Sequence, residues 1–208
     1  MIAWVVGDIH FGSDSMFEKI YKKHFSSKEA YIDSFIKRYN SMVKSRDRVI
    51  FLGDLGKENY LKKYLPKLKG KKSVILGNHD TLPLSFYQKY FKTVYQTPVF
   101  IHERIVLSHE PVPVEPGVIN GHGHTHYIFL DSPLHFNLCI EHTDYAPVHI
   151  NALVTHLKMI PEPNKSFLNE WFKDIQIWRG PNSGDLILDE NQIIDIEKTI
   201  LLRQNKKD

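Results

Sequence analysis

The chain has 208 residues, one cysteine, 42% hydrophobic and 25% charged residues, and a formal net charge of +3. That composition supplies a sizeable core for one domain with an appendage, and it excludes intrinsic disorder, a disulfide scaffold and a cysteine-rich zinc module. No apolar run nears the roughly 18 residues of a membrane span, and so small a charge excess does not mark a dedicated nucleic-acid binder, so the expectation is a soluble protein of the reducing cytoplasm.

In chain order, three apolar runs each end in Gly followed by a metal-capable residue: Ala3-Trp4-Val5-Val6-Gly7-Asp8, Val49-Ile50-Phe51-Leu52-Gly53-Asp54 and Val74-Ile75-Leu76-Gly77-Asn78. Ile105-Val106-Leu107 runs into Ser108-His109, and Val118-Ile119 leads through Asn120-Gly121 into His122-Gly123-His124-Thr125-His126. Short β-branched runs of this kind predict strands buried on both faces. Between them, Ser27 is placed to cap a helix with Ala30, Tyr31, Phe35, Tyr39 and Met42 at helical spacing, and a shorter helix covers Asn59 to Leu65 and stops at Pro66. Lys67 to Lys72 reads as a solvated turn. Phe136 to Glu141 alternates like a strand, and Pro147 precedes a helix from Val148 to about Leu157. Residues 1–160 would then form the core domain. Residues 161–208 form an extension, with an amphipathic helix marked by Phe167, Leu168, Trp171, Phe172 and Ile175, a turn at Gly180 to Gly184 and an apolar and acidic segment to Leu202, packed on the domain or on a twin subunit. Alternating strands and helices predict a layered α/β chain, whose ligands sit beyond the carboxyl ends of its strands.

That is where the polar residues fall, and where half of the twelve histidines cluster. Asp8 and His10 lie two apart, as do His124 and His126, so on an extended segment each pair points to one side and reaches one ion. Asp54, Asn78 and His109 arrive singly from other strand ends. Carboxylate, imidazole and amide oxygen form a mixed set suited to Mn, Fe, Zn or Ni rather than Ca. The ligands are too many for one ion and suit two. A bridging carboxylate would set two divalent ions about 3.5 to 4 Å apart, the arrangement that activates water and clamps a phosphoryl group. Two such ions bring four positive charges while Asp8 and Asp54 return two, so the site should attract an anion such as a phosphate ester.

The series Gly7-Asp8-Ile9-His10, Gly53-Asp54, Gly77-Asn78-His79-Asp80, Ser108-His109 and Gly123-His124-Thr125-His126 resembles the calcineurin-like metallophosphoesterase superfamily over about residues 1–158. It is most similar to the small bacterial and phage-type phosphoesterases of unassigned substrate. The resemblance implies an α/β (α+β, four-layer) fold of two packed mixed β-sheets flanked by helices. It puts Asp8, His10 and His126 on one metal, Asn78, His109 and His124 on a second, and Asp54 between them. His79 would be the general acid or an electrophile, with Asp80 orienting its ring. The implied activity is hydrolysis of a small phosphodiester or phosphomonoester, nucleotides included, by a hydroxide bridging two divalent ions, Mn foremost. Gly121-His122-Gly123-His124 matches the same Gly-His-x-His form one step earlier. The later register is preferred, with His122 behind the ligands. Leu55-Gly56-Lys57 follows Asp54 where Ser/Thr protein phosphatases continue Asp-Arg-Gly, and Asp80 replaces their Glu, so protein phosphatase activity is not expected. Two other readings are a nuclease gripping nucleic acid with Lys67 to Lys72, and a non-catalytic metal-binding scaffold presenting Trp171 and Trp178 to a partner. The presence of His79 favours the enzyme. His24, His102, His135, His142, His149 and His156 read as surface or satisfied core positions, His142 standing nearest to a pocket.

Overall fold

A computed structural model describes residues 3–161, and the helix, turn and apolar segment expected further on lie outside the described residues. Strand β1 (Ala3–Val6) is followed by a short helix α1 (Asp14–Lys19), whose Met16 N–H donates to the Ser13 hydroxyl, and by α2 (Lys28–Met42). Ser27 caps α2 as expected, its Oγ accepting from the Ala30 N–H at 3.0 Å. Tyr31, Phe35 and Tyr39 are buried along its inner face, while Met42, at the last turn, is exposed. After β2 (Arg48–Phe51), α3 (Glu58–Tyr64) ends before Pro66 as expected. It tightens into a 3-10 turn over Leu65–Lys67 that admits Pro66, because a first-turn residue needs no N–H partner.

There follow β3 (Lys71–Ile75), the single-turn helix α4 (Leu84–Tyr87), β4 (Thr93–Tyr95), β5 (Val99–His102), β6 (Ile105–Ser108), β7 (Ile119–His122), β8 (His135–Asn137), β9 (Val148–His149) and α5 (Asn151–Leu157). The five predicted strands are present. Two expectations change. The run from Phe136 leaves β-structure at Asn137: Cys139 makes one parallel bridge to Gly7, and Ile140–His142 coils into a 3-10 turn. The final helix starts at Asn151, because Val148 and His149 pair antiparallel with Val5 and Trp4 and close the open edge of β1.

Two mixed sheets result. One has the order β4-β3-β2-β1-β9, parallel except for β9, and the other the order β5-β6-β7-β8, parallel except for β5. Alternation along each strand splits the apolar residues between two cores. Trp4, Val6, Val49, Phe51 and Val74 face the helices and pack with Tyr31, Phe35, Tyr39 and Leu61. Val5, Ile50 and Ile75 face the other way and meet Ile105, Leu107 and Ile119 of the second sheet, with Leu153 and Leu157 of α5. No helix among the described residues is long and apolar enough to cross a membrane.

The sheets join where Gly7 meets Cys139, and a side chain does not fit there: a Cβ on Gly7 would lie 2.6 Å from the Leu138 carbonyl oxygen, a backbone atom with no rotamer to yield. Gly7→Ala is therefore expected to destabilise the protein by about 1–3 kcal/mol, read as a lowered urea midpoint at unchanged m-value.

Candidate metal centre

The loops after β1, β2, β3, β6 and β7 converge on one patch, but not by the extended geometry the spacing suggests. Asp8, His10, Asp54, His124 and His126 have φ of 54°, 41°, 50°, 65° and 47°. In this left-handed region a non-glycine residue costs on the order of 1–3 kcal/mol. Each pair is therefore brought together by a turn of backbone rather than by strand alternation.

The turns are held by one another. His10 N–H donates to the Asp54 carbonyl, Phe11 N–H to Leu55, and Lys57 N–H back to Phe11, each at 2.9 Å. Tyr31 Oη donates to the Ile9 carbonyl at 2.7 Å and Tyr21 Oη to that of Asp8 at 3.2 Å, so the α2 side of the core reaches the first loop. Gly123 N–H donates to the His109 carbonyl at 2.9 Å, and His124 N–H to Asp8 Oδ1 at 3.0 Å. Asp80 is a latch: its carboxylate accepts from the N–H groups of Asp54, Leu55 and Gly77 at 2.8, 2.9 and 2.9 Å. This corrects the expectation that Asp80 orients the His79 ring, because its oxygens are turned to the β2 and β3 loops. Burial, against those three hydrogen bonds, raises its carboxyl to about 6.

Two groups of side chains are candidates to hold a metal ion. Asp8, His10 and His126 form the first, and Asp54, His109 and His124 the second, with ligand atoms within 4.8 Å of one another in each. His10 Nε2 and His126 Nε2 stand 3.3 Å apart. In the second group Asn78 Oδ1 lies 2.7 Å from His109 Nε2 and 3.0 Å from His124 Nδ1. Donors around an ion at 2.0–2.2 Å stand about 3.0–3.5 Å apart, so both clusters have the right size. Asp54 lies between them, Oδ2 3.5 Å from His10 Nε2 and Oδ1 3.6 Å from His109 Nε2. His109 Nδ1–H donates to the Leu52 carbonyl at 2.7 Å, leaving Nε2 for the site.

Charge makes the same point. Asp8 and Asp54 are buried, and their described ion pairs are with histidines alone. Burial, with Asp54 beside it, pushes the Asp8 carboxyl well up. Burial also pushes His10 down to about 4 despite the pull of Asp54, so the ring is neutral and free to ligate near pH 7.

His79 is exposed, its ring centre 6.0 Å from that of His10, and its backbone N–H donates to Asp54 Oδ1 at 2.9 Å. His122, the last residue of β7, is buried, outside both groups, with Nδ1 donating to the Gly123 carbonyl at 2.8 Å. His135 and His156 are spent on the carbonyls of Val112 and Pro133. The sequence reading missed Glu141, whose Oε1 accepts from His126 Nδ1–H at 2.7 Å. The signal was an acid closing the apolar run Leu138-Cys139-Ile140.

Three comparisons bear on this geometry. Residues 1–199 match the family described as calcineurin-like phosphoesterase. An uncharacterized protein of Methanocaldococcus jannaschii is 27% identical over 165 residues, 73% of this chain and 88% of the relative. A crystal structure of a protein of unknown function from Aquifex aeolicus superposes with a TM-score of 0.62 at 21% identity, covering 74% of this chain and 98% of the other, and shows a shared fold.

A Cβ on Gly123 would lie 1.9 Å from Asp8 Oδ2. Gly123→Ala is expected to displace that carboxylate and abolish metal uptake by the first group while the second still binds, measured by calorimetric titration with Mn(II). Acidification should separate the groups too. Burial lowers His126, but the hydrogen bond and charge of Glu141 outweigh it and hold the ring above the ordinary imidazole range, whereas burial keeps His109 below it. As pH falls, a proton therefore displaces metal from His126 before it does so from His109. Titrations at stepped pH should show the first group emptying earlier, and simultaneous loss would contradict this order.

Proposed function

We propose that this chain, which belongs to the calcineurin-like phosphoesterase family, is a dinuclear metal-dependent phosphoesterase hydrolysing a small phosphodiester or phosphomonoester, a nucleotide among the candidates. One observation carries the reading: two metal-capable groups share the carboxylate of Asp54, one oxygen towards each. Divalent ions there, Mn(II) foremost, would supply the positive charge that binds a phosphate and acidifies the attacking water.

The rest is done by the chain's own residues. The β2 and β3 loops, latched by Asp80, set Asp54 and Asn78, and the β6 and β7 loops set His109, His124 and His126 against them. His79, exposed beside His10, would give a proton to the departing alkoxide oxygen. The four positive charges of two ions meet Asp8, Asp54 and the buried Glu141, so less positive excess remains than a count of Asp8 and Asp54 alone suggests. That balance suits a singly charged phosphodiester.

Three of the four lysines of the nuclease reading are used locally, which supports a small substrate. Lys72 Nζ donates to the Leu68 carbonyl at 2.8 Å, Lys69 Nζ to Asn40 at 3.1 Å, and Lys67 Nζ lies 4.9 Å from the Tyr64 ring centre.

Mn-loaded protein is expected to cleave a chromogenic bis-phosphodiester. Asp54→Ala should abolish the rate, and His79→Ala should lower kcat by about 10²–10⁴ on an alkyl phosphodiester, whose alkoxide must be protonated as it leaves. The His79 loss should be smaller on a substrate with an acidic phenol leaving group, which needs no proton. An undiminished rate in Asp54→Ala would overturn the proposal.

A further inference from the structure

Behind the first metal group stands a third cluster, His126, Cys139 and Glu141, whose ligand atoms also lie within 4.8 Å of one another. Its members are already committed. His126 turns Nε2 to His10, at 3.3 Å, and Nδ1, on the other side of the ring, to Glu141 Oε1 at 2.7 Å. Cys139 is fully buried with Sγ 3.5 Å from Asp8 Oδ2, and burial next to Asp8 and Glu141 pushes its thiol well up, so no thiolate is on offer. The cluster is therefore not an additional cation site.

What it holds is His126. That residue sits at φ 47° in a loop whose next four residues, Tyr127 to Leu130, are exposed apolar side chains, so its own segment does little to fix it. The 3-10 turn Ile140–His142 grips it at two points: His142 Nε2 donates to the His126 carbonyl at 2.5 Å, and Glu141 takes the ring N–H. The turn is itself anchored, His142 N–H donating to the Cys139 carbonyl at 2.9 Å while Cys139 bridges to Gly7, one residue before Asp8. The Glu141 side chain is 2% exposed, its described ion pair is with His126, and Oε2 has no hydrogen-bond partner among the described residues. A space-filling residue there would be apolar. A buried acid with one oxygen spent on an imidazole is the arrangement that sets a ligand's tautomer and raises its basicity.

We propose that Glu141 is the positioning residue of the first metal group, holding His126 with its proton on Nδ1 and its lone pair on Nε2 towards the ion. The inference rests on the metal-binding part of the function proposed above and not on the hydrolytic part, so it is tested without substrate. Full-length wild type, Glu141→Gln and Glu141→Leu are titrated calorimetrically with Mn(II), and cadmium NMR follows each site separately. Glu141→Leu should weaken the first site about ten- to a hundredfold and shift its cadmium resonance. Glu141→Gln, which keeps the shape and an acceptor but not the charge, should weaken it less. The second site, built from Asp54, Asn78, His109 and His124, should keep its affinity and resonance in both variants. Should Glu141→Leu not fold, Glu141→Gln against wild type still gives the answer. First-site affinity unchanged in a folded variant, or both sites weakened equally, overturns the proposal. A wild type that binds no metal overturns this and the function reading together, whereas two-site binding without esterase activity overturns the function reading alone.

Discussion

Five of the seven side chains that face the candidate metal centre hang from backbone in the left-handed region, and everything around them keeps it there. At about 1–3 kcal/mol each, such conformations persist only when neighbours leave no alternative. The neighbours here are other loops of the same site. The β1 and β2 loops are clasped by hydrogen bonds between His10, Phe11, Leu55 and Lys57, and the β2 and β3 loops by the Asp80 carboxylate. The β7 loop is held to Asp8 by the His124 N–H. Five separate strand ends become one rigid cradle, which is what a metal site needs if its ligands are to be set before the ion arrives.

The fold supplies the convergence. Parallel strands β1, β2 and β3 end side by side, and so do β6 and β7 in the second sheet. Glycines let the loops come closer than side chains would allow. A Cβ on Gly77 would stand 2.3 Å from Asp54 Oδ1. The aromatic core between the first sheet and the helices reaches into the site through Tyr21 and Tyr31, whose hydroxyls hold the Asp8 and Ile9 carbonyls. Burying these phenols raises them well above their usual range, burial being the main cause, so they stay neutral donors.

Electrostatics runs the same way. The chain's overall charge is close to balanced, yet three carboxylates with buried side chains, Asp8, Asp54 and Glu141, gather within one cluster whose described ion pairs are with imidazoles. Buried charge left without a counter-ion is costly, and cations at the two groups would reverse that cost. The same acids limit how positive the occupied site becomes, and so bear on the charge of the ester it would select.

The sequence by itself determined the five strands that run into metal-capable residues, the Ser27-capped helix, and seven ligand candidates, because each depends on local chemistry: β-branched runs, a hydroxyl at a cap, imidazoles too dense to be packing. It did not reveal the short edge strands β4 and β5, nor β9, whose two residues are strand only because β1 has an open edge to fill. Only the tertiary structure decided how Asp8 and His10, or His124 and His126, come to face the same group. Alternation on an extended segment was the local argument, and left-handed turns pinned by hydrogen bonds from other elements were the outcome. The same holds for Asp80 and Glu141. One turned from its neighbour His79 to the backbone of Asp54 and Leu55, and the other reached His126 across a coiled turn. Hydrogen bonds of that kind join residues far apart in the chain, and no spacing of letters encodes them.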